Sequence, residues 1–211
     1  MMVSSPNAKP FSVILPQDII IYRLLIMHTS FSPAYLSLSE EDFRQRVSQA
    51  RDLLRECKVC PRECGVNRLE GELGSCGAGD SVIFNSAFSH RGEEPPLVGR
   101  SGSGTIFFSN CNLSCVYCQN YRISQFGEGT EISAGSLARE MIKLQRSGCH
   151  NINLVSPTHY APQLLEAVLL ARNEGLKIPL VYNTGGYDSL RMLSFLDGIV
   201  DIYARYEIFQ K

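Results

Sequence analysis

From Thr105 to Tyr203 short apolar runs alternate with helical stretches, and no other feature of the chain restricts its fold as tightly. Strands are expected over Thr105 to Phe108, Asn151 to Val155, Ile178 to Tyr182 and Ile199 to Tyr203. Helices are expected over Ser136 to Arg146, Pro162 to Asn173 and Ser189 to Leu196. Gly148, Gly175 and Gly198 fall just past helix ends, where a left-handed residue closes the last turn, and Pro162 falls near a helix start. Repeated strand–helix units predict an α/β fold with a parallel sheet and right-handed crossovers. Chemistry in such sheets collects at the carboxyl ends of the strands.

The first of those ends runs into Ser109-Asn110-Cys111-Asn112-Leu113-Ser114-Cys115-Val116-Tyr117-Cys118-Gln119-Asn120. Three cysteines spaced i, i+4 and i+7 could share one helix face and act as small packing residues. Asn110, Asn112 and Ser114 prefer caps and turns, so a ligand loop fits the run better. Electron-carrying clusters are tied down by four cysteines; three leave one corner of an iron–sulfur cube open to bind and polarise a small molecule.

The C-x3-C-x2-C spacing, with Tyr117 before the last cysteine, resembles the signature of the radical S-adenosylmethionine (SAM) superfamily, and Cys118-Gln119-Asn120 is similar to its glycyl-radical-activating branch. That resemblance implies a 4Fe-4S cluster held by Cys111, Cys115 and Cys118, with SAM on the open iron and Tyr117 beside the adenine. An ordinary packed tyrosine is the alternative for Tyr117. It also implies a partial parallel (β/α) radical SAM barrel of about four strand–helix units and an electron donor such as a flavodoxin or ferredoxin. Hydrogen abstraction from an unidentified substrate follows, with a glycine α-hydrogen in a partner enzyme as the family-level expectation.

Most relatives hold the cofactor's amino group with a Gly-Gly-Glu turn at the next strand end. This chain has Leu154-Val155-Ser156-Pro157-Thr158-His159 there, so Ser156, Thr158 or His159 is left to bind the ammonium or the substrate. A surface or capping role for each is the alternative, because a helix follows. Asn183-Thr184-Gly185-Gly186-Tyr187 resembles the family's third-strand motif, and Asn183 and Thr184 are cofactor-binding candidates, against the alternative of a plain turn. Asp188 is expected to cap the next helix.

Upstream, Ser39-Glu40-Glu41-Asp42 opens a helix whose apolar stripe runs to Cys57. Cys57, Cys60, Cys64 and Cys76 follow as C-x2-C-x3-C-x11-C among turn-forming residues, a closed donor set that suits zinc or a second iron–sulfur cluster equally. Loose or paired cysteines are the alternative. The run Cys57 to Arg68 resembles the amino-terminal part of pyruvate formate-lyase activating enzyme-like proteins. A strand is expected over Val82 to Phe88, and Gly92 to Gly104 reads as a linker. Cys149 and His150 fall on the opposite rim, where packing roles are expected.

The resemblance covers Met27 to Tyr203 and then stops short of the usual six units, so a C-terminally truncated barrel is expected. Two other readings stay open: a catalytically inactive iron–sulfur or zinc-binding protein, and a zinc-stabilised interaction module. The division is 1–37 as N-terminal extension, 38–104 as helix plus Cys-rich segment and linker, and 105–211 as partial barrel. With 211 residues and a formal net charge of −1, the chain offers no basic field for nucleic acid or an anionic membrane. Clustered cysteines suit metal ligation in a reducing cytoplasm. The apolar stretch within Phe11 to Met27 is too short and too charged to span a bilayer.

Overall fold

A computed structural model describes residues 31–205. The N-terminal apolar stretch and the last residues after Arg205 lie outside that range. Helix α1 (Glu40–Asp52) starts where Ser39 accepts a hydrogen bond from the Asp42 amide at 3.0 Å, with three acids in the first turn opposing the helix dipole. Its Phe43 and Ala50 are buried, and the Arg172 guanidinium lies over the Phe43 ring.

Among the described residues six strands form one sheet. In chain order they are β1 (Val82–His90), β2 (Ser103–Phe108), β3 (Thr130–Ile132), β4 (Ile152–Val155), β5 (Leu180–Thr184) and β6 (Ile202–Arg205). Their spatial order is β3-β1-β2-β4-β5-β6, with β2, β4, β5 and β6 parallel. The sheet is nevertheless mixed, because β1 runs antiparallel to both β2 and β3. Between β1 and β2 comes a single helical turn, α2 (Pro95–Val98), and between β2 and β3 the short α3 (Tyr121–Phe126). Longer helices α4 (Ala134–Arg146) and α5 (Ala161–Asn173) and the shorter α6 (Leu190–Leu196) connect the parallel strands.

Alternation along the strands divides two environments. Ile106, Leu154 and Tyr182 are register partners across β2, β4 and β5, and they join the buried core with Leu137 and Met141 of α4 and Leu164 and Val168 of α5. Each such aliphatic side chain contributes about 1.5–3 kcal/mol by leaving water. One residue further on, the partners Phe107, Val155 and Asn183 all line a cleft on the opposite side. The helices therefore fix the strand ends from behind and leave the front open.

The expected linker is partly structured. Ser103 and Gly104 already belong to β2, where they pair with His90 and Ser89 of β1. A Cβ on Gly104 would sit 2.7 Å from the Asn151 carbonyl oxygen, so only glycine allows this approach. The parallel strands β5 and β6 begin two to three residues later than expected, at Leu180 and Ile202, and Asp201 Oδ2 takes the amide of Leu180 at 2.8 Å where they start.

Candidate functional site

Strand β2 ends in the cysteine loop. Asn110 follows in the left-handed region at φ 69°, a conformation that asparagine tolerates better than other non-glycine residues, and the Ile123 carbonyl accepts its amide. Its side-chain amide donates to the Tyr160 hydroxyl at 3.0 Å and to the Gly77 carbonyl at 3.3 Å. Ser114 is left-handed too, so the run is a loop and not the buried helix that packing cysteines would need. Cys111, Cys115 and Cys118 are half-buried free thiols, and the Leu113 amide donates to Cys111 Sγ at 3.4 Å. Burial pushes the Cys115 thiol up, and the neighbouring Cys111 and Cys118 push it further. Three thiolates within mutual electrostatic reach call for a cationic centre among them. That chemistry fits an iron–sulfur cluster.

The cleft in front of the parallel strands has a volume of about 650 Å³, within the range of small-molecule sites. Cys111, Cys115, Cys118, Tyr117, Ser156, Thr158, Asn183 and Thr184 all border it, so the candidates for the cluster loop and cofactor, His159 excepted, meet in one place. Tyr117 stands at the rim, 64% exposed. Ser156 ends β4 in the left-handed region at φ 52°, its amide held by the Asn183 carbonyl at 2.8 Å. Two non-glycine residues in this conformation, Asn110 and Ser156, thus mark the ends of adjacent strands at the cleft.

Behind the cleft wall sits a carboxylate that the sequence pattern assigns elsewhere. Asp188 does not cap α6; Ser189 does, accepting the Met192 amide at 3.1 Å. Asp188 instead accepts the hydroxyls of Thr158 at 2.6 Å, Thr184 at 2.5 Å and Tyr182 at 3.0 Å. Both threonine hydrogens point back to Asp188; the Thr184 oxygen also accepts the Gly186 amide at 3.0 Å and lies 3.3 Å from the Thr158 oxygen, so what the two oxygens can still offer the cleft is acceptor capacity. Burial, and then the Asp188 charge, hold the Tyr182 phenol neutral. A glutamate is missing after β4, but Asp188 makes Thr158 and Thr184 acceptors there.

His159 is placed differently from its expectation. It is buried behind the strand ends, neither on the surface nor on the main cleft, and its Nε2 lies 2.9 Å from the Ser109 carbonyl. Burial lowers its pKa to about 4, so the ring is neutral and Nε2–H donates. Its Nδ1 has no partner among the described residues. Asn153 was not a sequence candidate. Its amide is fully buried without a partner among the described residues, on the same strand face as the cleft-lining Val155. A polar residue inside an apolar strand was the available signal.

Cys57, Cys60, Cys64 and Cys76 surround a separate, small void. Among the described residues no three His, Cys, Asp or Glu side chains already stand at the ligand distances of a single ion. Cys149 is buried, and His150 Nε2 accepts the amides of Arg100 and Ser101, packing roles as expected. No described helix is long and apolar enough to cross a membrane.

The chain is 35% identical over 166 residues to an uncharacterized protein of Methanocaldococcus jannaschii, MJ0674, covering 75% of this chain and 47% of that protein. A second uncharacterized protein of the same organism, MJ0808, is 24% identical over 174 residues, covering 74% of this chain and 51% of its own length. The chain thus spans about half the length of the curated relatives it matches. No solved structure matches it significantly. Residues 105–208, which begin in β2 and carry the cysteine loop and the cleft-forming strand ends, match the model of the Radical SAM superfamily.

Proposed function

We infer that the chain is a radical SAM iron–sulfur protein in which Cys111, Cys115 and Cys118 hold a 4Fe-4S cluster and the adjoining cleft takes SAM. The observation that carries this reading is the convergence of those cysteines with Ser156, Thr158, Asn183 and Thr184 on one cleft at the carboxyl ends of parallel strands. When bound, the cluster and SAM together supply a 5′-deoxyadenosyl radical for hydrogen abstraction. The chain's own residues position and shield. Asp188 orients Thr158 and Thr184 as acceptors suited to the cofactor's ammonium, the Asn183 side chain borders the same wall, and Tyr117 at the rim offers an aromatic face for adenine. Phe107 and Val155 give the floor an apolar lining that offers no polar hydrogen donors.

Cys118-Gln119-Asn120 supports the glycyl-radical-activating branch, with a glycine α-hydrogen of a partner protein as the target. Exposed Val116, Tyr117, Tyr121 and Phe126 around the cysteine loop favour a large substrate docking at this mouth. A flavodoxin- or ferredoxin-type protein would deliver the electron.

Anaerobic reconstitution followed by electron paramagnetic resonance tests this reading. The reduced cluster signal should shift on adding SAM, and the SAM-responsive signal should vanish in Cys115→Ala. A signal indifferent to SAM would contradict it.

A further inference from the structure

The geometry points to a second metal centre: Cys57, Cys60, Cys64 and Cys76 form a closed site for one tetrahedral divalent ion, zinc by its ligand chemistry, with Arg68 as buried counter-cation. This site goes beyond the SAM chemistry and stands apart from the cleft.

The backbone brings the four thiols together. The Cys57 amide donates to the Val66 carbonyl at 2.9 Å and the Gly65 amide returns to Cys57, which draws Cys64 back beside it until the two thiols hydrogen-bond. Gly74 closes the other side. A Cβ there would lie 3.4 Å from Cys76 Sγ and 3.5 Å from Cys64 Sγ, so both sulfurs flank one glycine that leaves the space between them clear. All four cysteines border a void of about 10 Å³. That is room for one water-sized body, and a four-iron cube is far larger. Size therefore separates two metals that the spacing alone leaves equal.

Charge supplies the second argument. Arg68 is fully buried, and no carboxylate among the described residues pairs with it. Its Nη1 donates to the His159 carbonyl at 2.8 Å and its Nε to the Gly79 carbonyl at 2.8 Å, and the head also reaches Cys57. A buried cation supported by neutral carbonyls, a neutral thiol and the face of the Tyr160 ring is costly, and thiolates beside it remove that cost. Arg62 borders the same void. Four thiolates against two arginines leave a double negative charge, which one divalent ion neutralises. His159, whose buried Nδ1 has no partner among the described residues, borders the void as well. Binding would draw the sulfurs inward and release the thiol protons to solvent, and no electron moves.

The consequence reaches the cluster loop. Arg62 Nε donates to the Asn112 carbonyl at 2.6 Å and the Asn110 amide reaches the Gly77 carbonyl, so the ion would brace the segment that carries Cys111.

Metal analysis needs no SAM and so fails or succeeds independently of the radical reading. The full chain with Cys111, Cys115 and Cys118 all changed to alanine should carry about one zinc per chain, with no acid-labile sulfide, and lose it when Cys60→Ser is added. Stoichiometric iron with sulfide in that variant, no metal at all, or a Cys57–Cys64 disulfide in the anaerobic protein would each overturn the proposal. Should the triple variant not fold, Co(II) titration of the unaltered chain decides. A tetrathiolate charge-transfer band should be lost in Cys60→Ser and kept in Cys149→Ser; an unchanged band in Cys60→Ser contradicts the site.

Discussion

The Thr158 hydroxyl donates to the Asp188 carboxylate across 2.6 Å, joining the segment after β4 to the loop after β5. The same carboxylate takes Thr184 and Tyr182, so one acidic group sets the donor direction of two hydroxyls on the cleft wall. Asp188→Asn should free those hydroxyls to rotate and present hydrogens to an ammonium. A hydrogen bond to a charged group is worth about 1.5–3 kcal/mol, so SAM affinity should fall roughly 10- to 100-fold. Equilibrium SAM binding checks this, and iron content should stay unchanged because no cysteine is touched.

Cys115→Ala should remove SAM-responsive iron while Cys149→Ala leaves it. Cys149 is buried away from the loop, so its loss costs packing alone, about 1 kcal/mol for a small buried group. Iron and sulfide analysis of both variants separates ligation from packing.

His159 predicts a pH dependence of stability. Its folded pKa of about 4 lies below the ordinary value of 6.5, so the unfolded chain takes up a proton first as pH falls. The stabilisation from the neutral ring is complete above pH 6.5, declines as pH drops toward about 4 and is flat below. The span amounts to about 3 kcal/mol as an upper figure. Urea unfolding between those limits should show a steeper decline for the native chain than for His159→Gln. Equal slopes would remove His159 as the cause.

Ser156 occupies the left-handed region without being glycine. Ser156→Gly should relieve about 1 kcal/mol of backbone strain and raise the unfolding midpoint, while SAM affinity drops through loss of the hydroxyl. A lower midpoint would show that the serine hydroxyl contributes more than the strain removes.

Much of this arrangement is legible in the residues because it is local. Apolar alternation and glycine stops locate β2, β4, β5 and β6 to within a few residues, and the interrupted cysteine run reads as a loop at a strand end. What is not legible depends on partners far along the chain. The antiparallel pairing of β1 with β2 and β3 joins segments whose own patterns carry no direction, so Ser103 and Gly104 look like linker until His90 and Ser89 are beside them. Asp188 stands directly before a helix, and only the fold shows that Thr158 and Thr184 claim its carboxylate while Ser189 caps. Arg68 has no role assigned in the sequence, and only the fold shows that the Gly79 and His159 carbonyls enclose it.

Reductive cleavage of SAM at the cleft and cysteine loop is the activity proposed for this chain. The most direct measurement is 5′-deoxyadenosine formed by the anaerobically reconstituted chain with SAM and a strong reductant, quantified by mass spectrometry. 5′-Deoxyadenosine should rise with time and be absent in Cys115→Ala. A fully loaded SAM-responsive cluster that forms no 5′-deoxyadenosine, or equal product from Cys115→Ala, would contradict it.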